Sequence, residues 1–468
     1  MKHIHFIGIC GVAMSALAIA FAKKGYVVTG SDAGFYPPVS TNLLKNKISF
    51  YPGWHPEKMI YQGTPDLVIV GNVAGSNNPE WLFVQENQIP YLSYPEAIAE
   101  YFLGENSLVC AGTYGKTTSS TLLAWILKNA NFDPSYMFGG VAVNDLDSAA
   151  ISDARKYSVL EGDEYKTSSW DNRPKFALYA PTHLLLTSVS WDHADVYPTE
   201  QSYFDAFKTL VASIPASGLL VACSEGKNMD KVLSENSCRV VMYGKSDNAD
   251  YVYKNETQTA NGLSFDIFTG NETYHVTTPI LGEYNVENMV GCFALAKEIG
   301  IAPHIILESF ASFKGLKRRL EKRLEGDITV IDDIAHSPAK AQSLLATLQK
   351  IYTGKIIAVF EPNTGNRQKE AIPQYEQAFA AADMVIIPRL TKLKVDPRDP
   401  NKHLDGQELS QIISQSHPDV KYIDDDKELV EFLVQNAKKG SCIAFLGSHG
   451  FRGMIEETVT CLRQQSQP

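Results

Sequence analysis

Short apolar runs that end in Gly, Asp or Asn, each followed by a helix-length segment, recur along the chain. "HIHFIGICG" (3–11) reads as a buried strand running into a glycine turn, and "VAMSALAIAFAKKG" (12–25) as the helix after it, stopped by Gly25. "YVVTGSD" (26–32) and "DLVIVGNV" (66–73) are further strands, and "NSLVCAGTYGKTTSSTLLAWILKNA" (106–130) restarts the strand–loop–helix pattern. Strands are expected near 157–161, 183–189, 219–223 and 239–243, a β-rich part at 250–280, and a helix over 282–300. The last third offers strands at 327–333, 355–362, 382–388 and 441–447. Parallel strands need long crossovers, usually helical, so this alternation predicts an α/β protein built on parallel sheets.

At 468 residues the chain has room for roughly three domains of ~150 residues. Breaks are expected near 105 and 314, giving domains 1–105, 106–314 and 315–468. Hydrophobic residues make up 44% and charged residues 20%, ordinary values for a globular core. No apolar run reaches the ~18 residues of a membrane span, and no signal-peptide pattern opens the chain. The seven cysteines include no C-x-x-C pair, which predicts scattered thiols in a reducing cytoplasm. With a net charge of −11 and no basic block longer than "KGLKRRLEKR" (314–323), a nucleic-acid partner is not expected.

Ligands of open parallel sheets sit beyond the carboxyl ends of the strands, and each third offers such a loop. The first is Gly8-Ile9-Cys10-Gly11-Val12-Ala13-Met14, in which Cys10 and Ala13 replace two glycines of a dinucleotide fingerprint. It is either a diphosphate loop, with Asp32 accepting from a ribose or base, or a plain tight turn. The second is Gly112-Thr113-Tyr114-Gly115-Lys116-Thr117-Thr118. Here Cys110 stands where the full Walker pattern has glycine. Backbone amides at a helix start, the Lys116 ammonium and the Thr117 hydroxyl still make a phosphate and Mg²⁺ site. Glu161 closes one strand and Asp192, His193 and Asp195 follow another; they are candidate metal ligands or solvated loop groups, and Mg²⁺ prefers the carboxylate. The third set is dispersed: Asn285 and Asn288 at a helix start, Arg318 and Arg319 after a connector, and Asp333 ending "TVIDD". Each also has a structural reading, as helix cap or surface charge.

Taken in order, G-T-x-G-K-T, E-x-D-E, D-H, N-x-x-N, R-R-x-E and D-D-x-A-H resemble the Mur ligase superfamily over essentially the whole chain. That resemblance implies three domains: a Rossmann-like UDP-sugar domain, a P-loop-type ATPase domain with a small β-rich part, and a Rossmann-like C-terminal domain. It implies that Lys116 and the 112–118 backbone hold the ATP phosphates, with Thr117 and Glu161 binding one Mg²⁺ and Glu161 with His193 a second. Lys116, Glu161 and His193 would be the catalytic set. Asn285 would meet adenine, Arg319 the phosphates or ribose, and Asp333 the ribose, with Asn288 and His336 in the same cleft. Gly8, Cys10, Gly11, Val12, Ala13 and Asp32 would receive the UDP-sugar.

Two branches of the family share the N-terminal loop. One adds L-alanine to UDP-N-acetylmuramate; the other, the murein peptide ligases, adds the recycled tripeptide L-Ala-γ-D-Glu-meso-diaminopimelate. "GSDAGFYPPVSTNLL" (30–44), "VIVGNVAGSNNPEW" (68–81) and "EGDEYKTSSWDNRPKF" (161–176) are similar to the second. Tyr114 and Ser337 depart from the histidines common at those places. The acceptor peptide would meet loops of the C-terminal domain, with Arg398 of "VDPR", Ser448 and His449 as candidates. ATP would convert the lactyl carboxylate to an acyl phosphate, which the peptide amine would attack. A nicotinamide oxidoreductase would leave Lys116, Glu161 and His193 without a task. A non-catalytic UDP-sugar sensor would not need them intact. Folylpolyglutamate synthase shares the ATP loop but lacks a UDP-sugar domain like residues 1–105.

Overall fold

The computed structural model describes residues 2–72, 74–193, 196–226, 228–234, 236–392 and 403–465. Five parallel strands form the first sheet: β1 (His3–Ile7), β2 (Val27–Asp32), β3 (Ser49–Pro52), β4 (Leu67–Val70) and β5 (Tyr91–Ser93), in the order β3-β2-β1-β4-β5. The direction of winding reverses beside β1, so the loop 8–14 sits at the switch point where such sheets take ligands. The helix Val12–Lys23 follows, its Leu17, Ala18 and Phe21 buried on the sheet.

The second sheet has ten strands. They are β6 (Asn106–Ala111), β7 (Ser135–Met137), β8 (Ala149–Ala150), β9 (Tyr157–Gly162), β10 (His183–Leu186), β11 (Leu219–Cys223) and β12 (Arg239–Gly244), then β13 (Tyr251–Thr259), β14 (Gly262–Thr269) and β15 (Glu272–Thr278). Their order is β15-β14-β13-β12-β11-β10-β6-β9-β7-β8. β6 lies between two parallel neighbours, with Cys110 level with Glu161 on β9 and Leu185 on β10. The carboxyl ends of β9, β6 and β10 therefore open side by side. Cys110 is an interior strand residue, fully buried, so the turn starts two residues later, at Gly112. That explains why no glycine is needed at 110.

The third sheet comprises β16 (Glu321–Leu324), β17 (Thr329–Asp333), β18 (Ile356–Glu361), β19 (Met384–Pro388), β20 (Val420–Ile423) and β21 (Cys442–Gly447), ordered β16-β17-β21-β18-β19-β20. Only the β16–β17 pairing is antiparallel in this sheet. Every residue of β17, β18, β19 and β21 is buried, as expected of parallel strands covered on both faces.

By contacts the chain forms two compact units. One holds Met1–Glu256, Ser264–Pro279 and Glu283–Lys314, and the other Thr257–Leu263, Ile280–Gly282 and Gly315–Pro468. All seven cysteines are free thiols. Among the described residues no helix is long and apolar enough to cross a membrane.

Candidate active site

The phosphate loop is shaped by two glycines that no other residue replaces. Gly112 has φ +131° and Gly115 φ +82°, and an added Cβ would stand 2.0 Å from Thr187 Oγ1 and 2.2 Å from Asn288 Oδ1, respectively. Around them, Thr113 donates to Ser190 O and accepts from Ser190 N, both at 2.8 Å, while Thr187 Oγ1 donates to Tyr114 O at 2.6 Å. The loop is thereby fixed to the chain after β10, and the helix Lys116–Asn129 starts with its amides facing outward from the loop. Tyr114 is 65% exposed, so its departure from histidine adds a ring to the rim without entering this scaffold.

Lys116 does not stand free. Its Nζ donates to Gly112 O at 2.7 Å, to Thr113 O at 3.3 Å and to Glu164 Oε1 at 2.9 Å, with Glu164 Oε2 at ion-pair distance. The Glu164 side chain is 1% exposed. It is the residue that sequence reasoning missed, although its position in E-x-D-E was in plain view. Tyr197 donates to its carbonyl at 2.5 Å, and Tyr203 donates to its Oε1 at 3.4 Å. His193, in the left-handed region at φ +57°, points Nε2 at Glu164 Oε1 (3.4 Å) and lies edge-on to Tyr165.

Glu161 projects from the end of β9. One oxygen accepts from Thr117 Oγ1 at 2.8 Å and the other from Gly139 N at 2.6 Å. Burial pushes its carboxyl above the usual range, against the Gly139 amide, the Thr117 hydroxyl and the Lys116 ammonium, which favour the charged form. A half-buried carboxylate beside a hydroxyl, with its charge under-compensated, suits a hard, oxygen-preferring cation such as Mg²⁺. The donor set of Thr117 and Glu161 thus fits the ion that the family implies. The expected pairing of Glu161 with His193 is not preformed: within 4.0 Å the ring meets Glu164 and Asp192, among the described residues. The one close group of three His, Cys or acidic ligands among them is elsewhere, at Cys223, Glu225 and Glu287. There Glu225 is already engaged by the Lys245 and Ser246 amides, so it braces a turn.

In the first domain, Asp32 is committed to the loop itself. It accepts from Cys10 N at 2.8 Å and from Ala33 N at 2.7 Å. It braces the turn containing Gly8, Cys10, Gly11, Val12 and Ala13 with one amide on each oxygen. Burial and the neighbouring Asp32 push the Cys10 thiol up to about 11, so it stays protonated. A cavity of about 90 Å³ opens beside Ala13 and is lined also by Tyr94, Glu161, Asp163, Lys175 and Tyr179.

Asn285 and Asn288 are buried one turn apart on the helix Tyr284–Glu298, with Asn288 Nδ2 donating to Asn285 Oδ1 at 3.2 Å. Asn288 also flanks Gly115, so this pair and the phosphate loop are neighbours.

The second unit carries the remaining candidates. Asp333 ends β17 and accepts from Leu320 N at 2.7 Å and Ala335 N at 2.8 Å; burial outweighs these bonds and pushes its carboxyl up to about 6. Arg319 is exposed, whereas Arg318, read from sequence as possible surface charge, donates to the carbonyls of Gly447, Ser448 and His449. His336 Nδ1 meets Ile334 O at 2.7 Å, and Ser337 caps the helix Pro338–Ile351, which is a structural reason for serine there. Ser448 Oγ lies 3.0 Å from His449 Nδ1. Arg398 and Asp195 fall outside the described residues.

Comparison with known proteins agrees with this geometry along the chain. Residues 3–105 match the Mur ligase family, catalytic domain; 110–296 the Mur ligase middle domain; and 318–449 the Mur ligase, glutamate ligase domain. The chain is 31% identical to the UDP-N-acetylmuramate–L-alanyl-γ-D-glutamyl-meso-2,6-diaminoheptandioate ligase of Haemophilus influenzae, over 99% of this chain and 100% of that one. It is 29% identical to the UDP-N-acetylmuramate–L-alanine ligase of Caldicellulosiruptor bescii over 96% of each. Among solved structures, a murein peptide ligase from Psychrobacter arcticus superposes with a TM-score of 0.67 at 26% identity, covering 99% of both chains. A UDP-N-acetylmuramate-alanine ligase from Thermotoga maritima gives 0.79 at 22% identity over 100% of both, a likeness of fold. Family matches spanning all three sheets, with an end-to-end relative at 31% identity, make this protein a member of the Mur ligase family and an ATP-dependent amide-bond-forming ligase.

Proposed function

We propose that this ligase joins the tripeptide L-Ala-γ-D-Glu-meso-diaminopimelate to the lactyl carboxylate of UDP-N-acetylmuramate, a step of peptidoglycan recycling. The observation that carries the reading is the 31% identity, end to end, with two enzymes named for that reaction, from Haemophilus influenzae and Escherichia coli. The stretches 30–44, 68–81 and 161–176 support it against the alanine-adding branch, whose members match at 28–29%.

A carboxylate is a poor electrophile, so ATP phosphorylates it, giving an acyl phosphate and ADP. The peptide amine then attacks the carbonyl, and phosphate leaves as the amide forms. Bringing a carboxylate to a triphosphate sets like charges together, and Lys116 is the loop's own answer. On binding ATP its ammonium trades the Gly112 and Thr113 carbonyls for phosphate oxygens while Glu164 holds the stem in line. Mg²⁺ bound at Thr117 and Glu161 would supply further charge neutralisation. His193, 3.4 Å from Glu164, would orient the incoming groups. Asn285 and Asn288 serve the adenine end, and Arg319, Asp333 and His336 are the further nucleotide candidates. Ser448 and His449 are the acceptor candidates.

The test is phosphate release with ATP, Mg²⁺ and UDP-N-acetylmuramate, comparing the tripeptide with L-alanine. Tripeptide-dependent turnover, lost in Lys116→Ala, is expected. Turnover with L-alanine alone would transfer the protein to the alanine-adding branch.

A further inference from the structure

Residues 163–175 form a closed hairpin over the cavity beside Glu161, and its architecture serves one side chain. Lys166 and Pro174 are bridged, Thr167 N donates to Arg173 O at 2.9 Å, and Lys175 N donates to Tyr165 O at 2.9 Å. At the tip, Trp170 stacks on Trp81 (centroids 4.6 Å apart, planes at 17°), which ties the hairpin to the first domain. At the base, Lys175 Nζ sits 2.5 Å from Asp163 Oδ2, its side chain only 16% exposed. Glu161, Asp163 and Lys175 are the charged groups lining the cavity. Lys116 is occupied by Glu164 and by its own loop. Among the residues that line the cavity, Lys175 carries the one ammonium.

Asp163 keeps a second partner when that ammonium turns away. Its other oxygen accepts from Tyr165 N at 3.0 Å, and its side chain is 34% exposed, so water can take the place of the lysine. The entering carboxylate then takes the ammonium, while Asp163 keeps the Tyr165 amide and gains water.

We propose that Lys175 binds the reacting carboxylate of the donor, replacing Asp163 with it, and so discriminates UDP-N-acetylmuramate from a UDP-amino sugar that lacks the lactyl group. The inference rests on the donor reading above, and it is tested by binding without ATP or metal. Calorimetric titration would compare UDP-N-acetylmuramate with UDP-N-acetylglucosamine on the wild type, Lys175→Gln, Lys175→Arg and Asp163→Asn. Charge-assisted hydrogen bonds of this kind make a loss of about 10-fold or more in UDP-N-acetylmuramate affinity the expectation for Lys175→Gln. Its affinity for UDP-N-acetylglucosamine should stay within about 2-fold. Lys175→Arg should keep most of the preference, and Asp163→Asn should keep or raise it. Equal weakening of both sugars in Lys175→Gln, an unchanged preference, or the same loss in Asp163→Asn would overturn the inference and leave the donor reading standing. A wild type that binds neither sugar would sink both.

Discussion

Replacing Gly115 by alanine isolates the geometry on which the phosphate loop depends. Two costs are separable. The left-handed backbone at φ +82° costs a residue with a Cβ about 1–2 kcal/mol. The new Cβ would also stand 2.2 Å from Asn288 Oδ1, about 1.2 Å inside ordinary contact, and forcing such a neighbour aside in a packed site costs about 1–3 kcal/mol. Together they predict about 2–5 kcal/mol, or roughly 4–10 °C in the melting of the unit that holds the loop, at about 2 °C per kcal/mol. Asn288→Ala alone loses the bond to Asn285, worth about 1 kcal/mol. The double variant Gly115→Ala/Asn288→Ala should then be more stable than the sum of the singles by the clash portion, leaving only the backbone cost and the lost bond. Scanning calorimetry of all four proteins closes the cycle without relying on activity, which both residues are proposed to serve. Strict additivity would refute the argument, because it would mean that the loop relaxes away from Asn288 at no cost.

Two further perturbations follow from buried charge. Lys116→Met leaves Glu164 buried without its cation, so it should lower stability as well as abolish turnover; adding Glu164→Gln should restore the melting temperature but not phosphate release. Asp333, with a carboxyl raised to about 6, holds its proton in the folded state over a range where the unfolded chain has lost it. The stability it contributes is complete below the unfolded value near 3.8 and is lost as pH rises through about 6, an effect of up to about 3 kcal/mol. Denaturation of wild type and Asp333→Asn at pH 4, 5, 6 and 7 should therefore show a difference that changes by that order across the series; a constant difference would show that the carboxyl is already ionised at pH 4.

How much of this could be read from sequence differs by the range of the interaction. The strand–loop–helix units were legible because burial on both faces writes continuous apolar runs, as in "LLVAC" and "CIAFLG". Short or charged edge strands were not. Ser49–Pro52 and Tyr91–Ser93 lack length, and Glu321–Leu324, "EKRL", looks like a solvated segment until it pairs with Thr329–Asp333. The phosphate loop was legible because it is local. Glu164 was not singled out, since nothing in E-x-D-E says which carboxylate turns inward; its carboxylate partners, Lys116 and Tyr203, lie 48 and 39 residues away. Asp32 and Asp333 each end a strand, where a ribose acceptor is expected, yet each is engaged by two backbone amides. A backbone partner leaves no mark in the residue pattern, so sequence could not separate bracing from binding.

The grip of Arg318 on the loop after β21 bears on how this enzyme can change. One guanidinium takes the carbonyls of residues 447, 448 and 449, and its own place is secured by Asp332 on β17. The path of the loop is set by a side chain about 130 positions upstream, so Ser448 and His449 carry no responsibility for its shape. Those two positions are free to vary while the backbone stays put, which is the condition under which a binding surface can be re-tuned one residue at a time. A lysine at 318 would offer its donors from one atom, where the arginine reaches the three carbonyls from two nitrogens set in a rigid plane and the Asp332 carboxylate from a third.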